Sequence, residues 1–145
     1  MRSPGKSRSA AYTGDTLIPS DRGAFLHLTS LDQARRIADL AQEKLARDVL
    51  ILDMRPVCTY TDYFVVCTGN NPRQAKAIYD EVREGMKREG RLVPRHVHGE
   101  RDANWILADY LDVVLHVFTP EARSYYRLEE LWGDVPEVAV EAATA

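Results

Sequence analysis

No stretch of this 145-residue chain approaches the roughly 20 consecutive apolar residues that would span a bilayer, so no membrane partner is expected. Cysteine is scarce. Cys58 and Cys67 are the whole complement, too few for a disulfide framework, and without a secretory signal they fit a reducing, cytoplasmic setting. An excess of positive charge is also missing. Nineteen Lys and Arg stand against 22 Asp and Glu, a formal net charge of −3. The phosphate backbone of RNA or DNA is therefore not an obvious direct partner, and no sequence-specific nucleic-acid binding is expected. A basic protein stays open as a partner. What is present, 45% hydrophobic and 28% charged residues, suffices for one domain with one core and is too apolar for a disordered chain.

The signatures of catalysis are missing as well. Neither cysteine sits in a nucleophile elbow or a cysteine-protease context, and Cys67 lies in an apolar run that reads as a strand. His96, His98 and His116 fall on strands, yet no HExxH or CxxC spacing accompanies them. "TGNNPRQ" runs from a strand end into a helix N-terminus, where free N–H groups attract anions, but it is neither a Walker loop nor GxGxxG. A plain βα turn fits it too. Asp53, Asp62, Asp109 and Asp112 offer carboxylates for a Mg²⁺-dependent transfer, without the Gly-Ser motif and close Asp-x-Asp spacing such chemistry normally brings. No catalytic residue, metal site or cofactor is expected.

Residues 1–28 are small, polar and punctuated by Gly and Pro, and read as a disordered tail. Asp15 and Asp21 argue against a targeting peptide there. The folded domain is expected over 29–133, and 134–145 reads as a flexible tail. In "TSLDQARRIADLAQEKLA" Ser30 and Gln33 have capping-box spacing, and Leu31, Ala34, Ala38, Ala41 and Leu45 share a helical face. "VLILDM", ended by Pro56, and "DYFVVCTG" read as buried strands. Asn71 and Pro72 start a second helix with Ala75, Ile78, Val82 and Met86 inward, and Gly90 is the expected stop. "LVPRHV" suits a sheet edge because of Pro94. "WILAD" and "VVLHVF" flank "YLD" as a hairpin, and Thr119 with Pro120 begins a last short helix. The order implies an α/β fold: a mixed sheet of about five strands with flanking helices, and a right-handed crossover from 63 through 97.

The stretch "WILADYLDVVLHVF" (105–118) packs Trp105, Asp109, Tyr110 and Asp112 into eight positions without a Lys or Arg. A buried strand does not need that set. Trp105, Tyr110 and Leu111 offer area for an interface anchor, while Asp109, Asp112 and Glu100 would meet a basic partner. Because the two aspartates flank a turn, reversing either charge is expected to leave stability nearly unchanged.

From about Leu31 to Trp132 the chain resembles a ribosomal silencing factor of the RsfS/Iojap type. The resemblance is carried by "TDYFVVCTG" with Arg73 and Gln74, by "HGE", by "WILADYLDVVLHVF" and by "RSYYRLEELWG", in the family's order. It implies a nucleotidyltransferase-like fold without transferase activity. It also implies binding to protein fourteen of the large ribosomal subunit (uL-fourteen), which blocks joining of the small subunit and lowers translation when nutrients are scarce. Organellar relatives imply an alternative role in large-subunit assembly, and the fold leaves a nucleotidyltransferase-like enzyme as a more distant one. The family also implies a homodimer, for which an open sheet edge would serve. One departure stands out. Leu111 occupies a position where the family usually carries Gly, so a changed turn geometry is expected.

Overall fold

The computed structural model describes residues 28–140. The tail reading for residues 1–27 lies outside them, as do 141–145. Leu28 itself packs against the core.

Helix α1 (Ser30–Glu43) starts one residue earlier than the spacing suggested. Thr29 is the N-cap: its hydroxyl accepts from the Asp32 N–H at 3.0 Å, and the Asp32 carboxylate accepts from the Thr29 N–H at 3.4 Å. Gln33 is committed elsewhere, its amide donating to the Leu28 carbonyl at 3.2 Å. The buried face is Ala34, Ile37, Ala38, Leu40 and Ala41. Leu45 lies past the helix end with φ +65° and is 75% exposed, so it does not belong to that face.

Strands β1 (Arg47–Asp53) and β2 (Tyr63–Thr68) follow, then helix α2 (Pro72–Gly90). Asn71 caps α2 by accepting from the Gln74 N–H at 2.9 Å, with Pro72 in the first turn. At the other end Gly90 is still helical, and Arg91 takes the left-handed conformation that closes the helix. The two helices meet closely at Gly85, where an added Cβ would fall 2.5–2.6 Å from the Leu40 methyls. A two-pronged Arg36–Glu89 ion pair ties them together nearby.

After α2 come β3 (His96–His98), β4 (Trp105–Asp109), β5 (Val113–Phe118), α3 (Pro120–Tyr126), α4 (Leu128–Leu131) and β6 (Glu137–Val138). The sheet runs β3-β4-β5-β2-β1-β6. Its centre is the parallel pair β2 and β5, Tyr63 opposite Val113 through Thr68 opposite Phe118. Every residue of both strands is buried. That is why they read as continuous apolar runs rather than alternating ones. All other pairings are antiparallel.

Two differences from the sequence reading concern the sheet. The chain after Pro136 adds a sixth strand, Glu137 and Val138 pairing with Leu52 and Ile51 of β1. The passage through α2 does join parallel strands, but it carries β3 to the far edge, with β4 and β5 in between. Helices α1 and α2 pack on one face of the sheet, over Val65, Cys67, Ile106, Ala108, Leu115 and Val117. The opposite face buries Leu52, Phe64, Val66, Val114 and Phe118 under Met54, Cys58, Leu128 and Val135. That second cover is small. It leaves the β3–β4 side of the face partly open.

Candidate protein-interaction face

Strand β4 alternates. Ile106 and Ala108 are fully buried on the helix side, and Trp105, Leu107 and Asp109 are half-buried on the open side. Pairing places His98 beside Leu107 and His96 beside Asp109, so both exposed histidines share that face. Their rings stack with centroids 6.4 Å apart. Across β5, His116 sits opposite Leu107.

Trp105 is anchored from three sides. Its indole N–H donates to His116 Nδ1 at 3.1 Å, and its ring stacks on Phe118 with centroids 5.0 Å apart. Tyr126 of α3 lies against it at 4.6 Å, and Tyr125 meets Tyr126 edge-on at 4.9 Å. Tyr126 is half exposed and Tyr125 more so. At the other end of β4, exposed Tyr60 lies near enough to Asp109 to feel its charge. The result is an aromatic cluster of Trp105, Tyr126 and Tyr125 on the face that Leu107 shares.

His116 is the unusual member. It is 3% exposed, and burial alone pulls its pKa down to about 3, so it is neutral at ordinary pH. Accepting at Nδ1 assigns its proton to Nε2, which has no hydrogen-bond partner; the Phe64 ring packs edge-on against the imidazole (centroids 4.6 Å). The histidine holds the indole in place rather than carrying charge.

The six residues expected to bind a partner do not form one patch. Trp105 and Asp109 share the open face. Tyr110 is 4% exposed on the helix side, its phenol raised in pKa by burial, so it is a core residue. Leu111 and Asp112 form the hairpin turn, roughly 20 Å along the strand from Trp105. Glu100 is exposed and near Tyr79 of α2. The turn geometry is also resolved: Leu111 does take a left-handed conformation, φ +81°. Asp109 Oδ1 accepts from the Leu111 N–H at 2.7 Å, and Asp109 Oδ2 accepts from Arg95 at 3.2 Å. Asp112 receives the Gln33 amide at 3.5 Å, and its carbonyl accepts from Asp62 and Tyr63 N–H. Both aspartates hold the hairpin, so reversing either charge is predicted to cost stability, where the sequence alone suggested little change.

Tyr60, Leu107, His116, Tyr125 and Tyr126 were not expected from the sequence on a partner-binding face; His116 was weighed there only as a metal ligand. Leu107 was legible from the strand alternation. Tyr126 was not, because α3 reaches Trp105 only through the tertiary fold.

The other chemical options are filled by the structure's own groups. In the "TGNNPRQ" turn, Gly69 N–H donates to the Phe118 carbonyl, Asn70 N–H to the Gln74 side chain, and Gln74 N–H to Asn71. An added Cβ at Gly69 would lie 2.8 Å from the Ala75 nitrogen. It is a tight βα turn. Asp53 is held in a two-pronged pair with Arg55, which keeps its pKa below the usual range. Burial pushes the Cys67 thiol up to about 12, far from nucleophilic at neutral pH. Among the described residues no group of three His, Cys, Asp or Glu side chains is placed to hold a metal, and no helix is long and apolar enough to cross a membrane.

Comparison with known proteins gives concordant results. Residues 27–145 match a family model described as "Ribosomal silencing factor during starvation". The ribosomal silencing factor RsfS of Bacillus subtilis (strain 168) is 42% identical over 99 residues, covering 68% of this chain and 83% of that protein. A mouse protein named "Mitochondrial assembly of ribosomal large subunit protein 1" is 31% identical over 98 residues, 66% of this chain and 43% of that one. A crystal structure of a Chromobacterium violaceum protein superposes with a TM-score of 0.71 at 30% identity, covering 81% of this chain and 98% of that chain.

Proposed function

This chain belongs to the RsfS family of ribosomal silencing factors, and from that membership we propose that it binds the large ribosomal subunit through protein fourteen (uL-fourteen). Occupying that protein blocks joining of the small subunit and represses translation in the cytoplasm when nutrients are limiting. The observation that carries the reading is the half-buried Trp105, locked by His116 and flanked by Tyr126, on the sheet face opposite α1 and α2. A rigid, partly desolvated aromatic ring is the kind of group that anchors an interface. The net charge of −3 favours a basic partner.

A second reading, large-subunit assembly, is favoured by the printed name of the mouse relative. It uses the same surface, since both roles need only occupancy of the same ribosomal protein. The enzyme reading gains nothing from the relatives' names or from Asp53, which is neutralised by Arg55.

Sedimentation with separated ribosomal subunits tests the proposal. The expected outcome is co-migration with the large subunit alone and inhibition of subunit joining. Trp105→Ala and Tyr126→Ala should each weaken binding by about 2–4 kcal/mol if they are anchors. Wild-type affinity in both variants would move the contact surface elsewhere. Binding of the large subunit without any effect on joining would favour the assembly role.

A further inference from the structure

Beyond the aromatic face, a cavity of about 410 Å³ opens beyond the carboxyl ends of β2 and β5. These are the parallel pair of the sheet, and such ends are where open α/β sheets generally take ligands. Arg47, Arg123 and Arg127 line it with Thr68, Ser124 and Asp48. We propose that this cavity binds phosphate groups of single-stranded RNA, giving this ribosome-directed protein a contact with nucleic acid that its overall charge conceals.

The construction of the site supports this. In a regular strand Arg47 and Asp48 would face opposite sides of the sheet. Here β1 has an irregular register between Arg47 and Leu50, and Asp48 is left-handed with φ +52°, which brings both onto one wall. Arg123 forms the floor, donating to the Asp48 carbonyl at 2.7 Å and to Thr68 Oγ1 at 2.8 Å. Arg127, left-handed with φ +49°, stands on the rim with a long 3.5 Å contact to exposed Glu130. Three guanidinium groups against two carboxylates make the cavity net positive on a protein that is net negative.

The shape selects the source of the phosphate. Sites for small molecules bury most of the ligand against apolar walls. Here Pro120 is the one apolar residue of the lining, and Arg47, Ser124, Arg127 and Glu130 are exposed at the rim. A base has nothing to stack on inside. Tyr125, next to Ser124 in α3, is 79% exposed and supplies a stacking platform outside. "RSYYR" thus sets exposed Tyr125 between two cations, beside a strand whose phosphate enters while its bases remain outside.

The proposal goes beyond the protein-partner reading and does not depend on it. Fluorescence anisotropy with a labelled single-stranded oligoribonucleotide of about 12 nucleotides tests it directly. The wild-type chain should bind at low salt, with affinity falling on a log–log slope of roughly −1.4 for two phosphate contacts. Arg47→Glu and, separately, Arg127→Gln should each weaken binding about ten-fold, and Tyr125→Ala about five-fold or more. Arg123 is left unchanged because it braces the fold. Both arginine variants should keep the wild-type circular dichroism and capture by purified uL-fourteen. Absence of RNA binding by the wild type, or unchanged affinity in both arginine variants, overturns the proposal. So does calorimetric binding of orthophosphate without binding of the oligonucleotide, which would assign the cavity to a small phosphate compound.

Discussion

Acidification from pH 7 to pH 5 should destabilise this protein through His116. In the fold the ring is 3% exposed, surrounded by Trp105, Phe64 and Phe118, and burial lowers its pKa to about 3. In the unfolded chain it titrates near its ordinary value of about 6.5. Between those values the unfolded state binds a proton that the folded state refuses. The resulting stability is fully present above about pH 6.5 and is lost as the pH falls toward 3. At pH 5 the difference amounts to about 1.5 pH units at 1.36 kcal/mol each, or roughly 2 kcal/mol. That is a large share of the ~5–15 kcal/mol typical of a domain. Asp53 and Glu89, whose pKa values the fold lowers, lose their contribution only at more acid pH. Comparison with a variant lacking the imidazole cancels the remaining groups, such as Glu43, whose pKa is raised by its hydrogen bond with Glu81. Urea unfolding followed by circular dichroism at pH 7, 6 and 5 measures the effect. His116→Phe is the comparator, with exposed His96 and His98 present in both chains. The wild type should lose about 2 kcal/mol more than the variant over this range. Equal losses would refute the reasoning and show that the folded protein accepts the proton at His116.

The Trp105–His116 bond predicts non-additivity. Each single change to Phe should cost about 1–3 kcal/mol by leaving the other ring's nitrogen unmatched, and the double variant should recover about 1 kcal/mol of the sum, whereas additivity within ~0.5 kcal/mol would deny the bond. Leu111→Gly should raise the melting temperature, because a left-handed non-glycine residue costs about 1–2 kcal/mol and glycine's extra entropy returns only ~0.5–1 of it; a lower melting temperature would mean that the leucine side chain contributes more by packing. Gly85→Ala should destabilise by about 1–3 kcal/mol through its collision with Leu40, as read by denaturant midpoint, and a neutral result would show that the α1–α2 contact relaxes freely. We also propose that deleting residues 1–27 leaves folding and large-subunit binding intact, which circular dichroism and sedimentation of the shortened chain would check.

Much of the fold was legible because its signals are local. The Asn71–Pro72 start of α2 and the apolar runs of β2 and β5 depend on neighbours in sequence, and they appear where expected. The capping box was displaced by one residue because Ser30 and Thr29 are both competent caps, and only the fold shows Gln33 reaching back to Leu28. Strand β6 was missed because two residues pairing with β1 leave no periodicity to detect. For the site, the strand alternation separates Trp105 from Ile106. The turn that follows β4 then carried the expectation too far, by treating Tyr110 as part of the same surface as Trp105. Tyr126 and the three-arginine cavity join elements far apart in sequence, and no spacing announces them.

Helix α3 has seven residues and none of them is fully buried. Its attachments to the sheet include Tyr126 lying on Trp105 and near Phe118, Ala122 packing against the smaller core, and Arg123 reaching Asp48 and Thr68. In terms of local opening, this element belongs to the low-stability end of the molecule, while β2 and β5 belong to the high end. Amide hydrogens of α3 would therefore exchange with solvent through small excursions that leave the core closed. A partner that seats on Trp105 and Tyr126 would also have to hold α3 still. Part of its binding free energy would be spent on ordering that helix, and its grip would register as slowed exchange well beyond the atoms it touches.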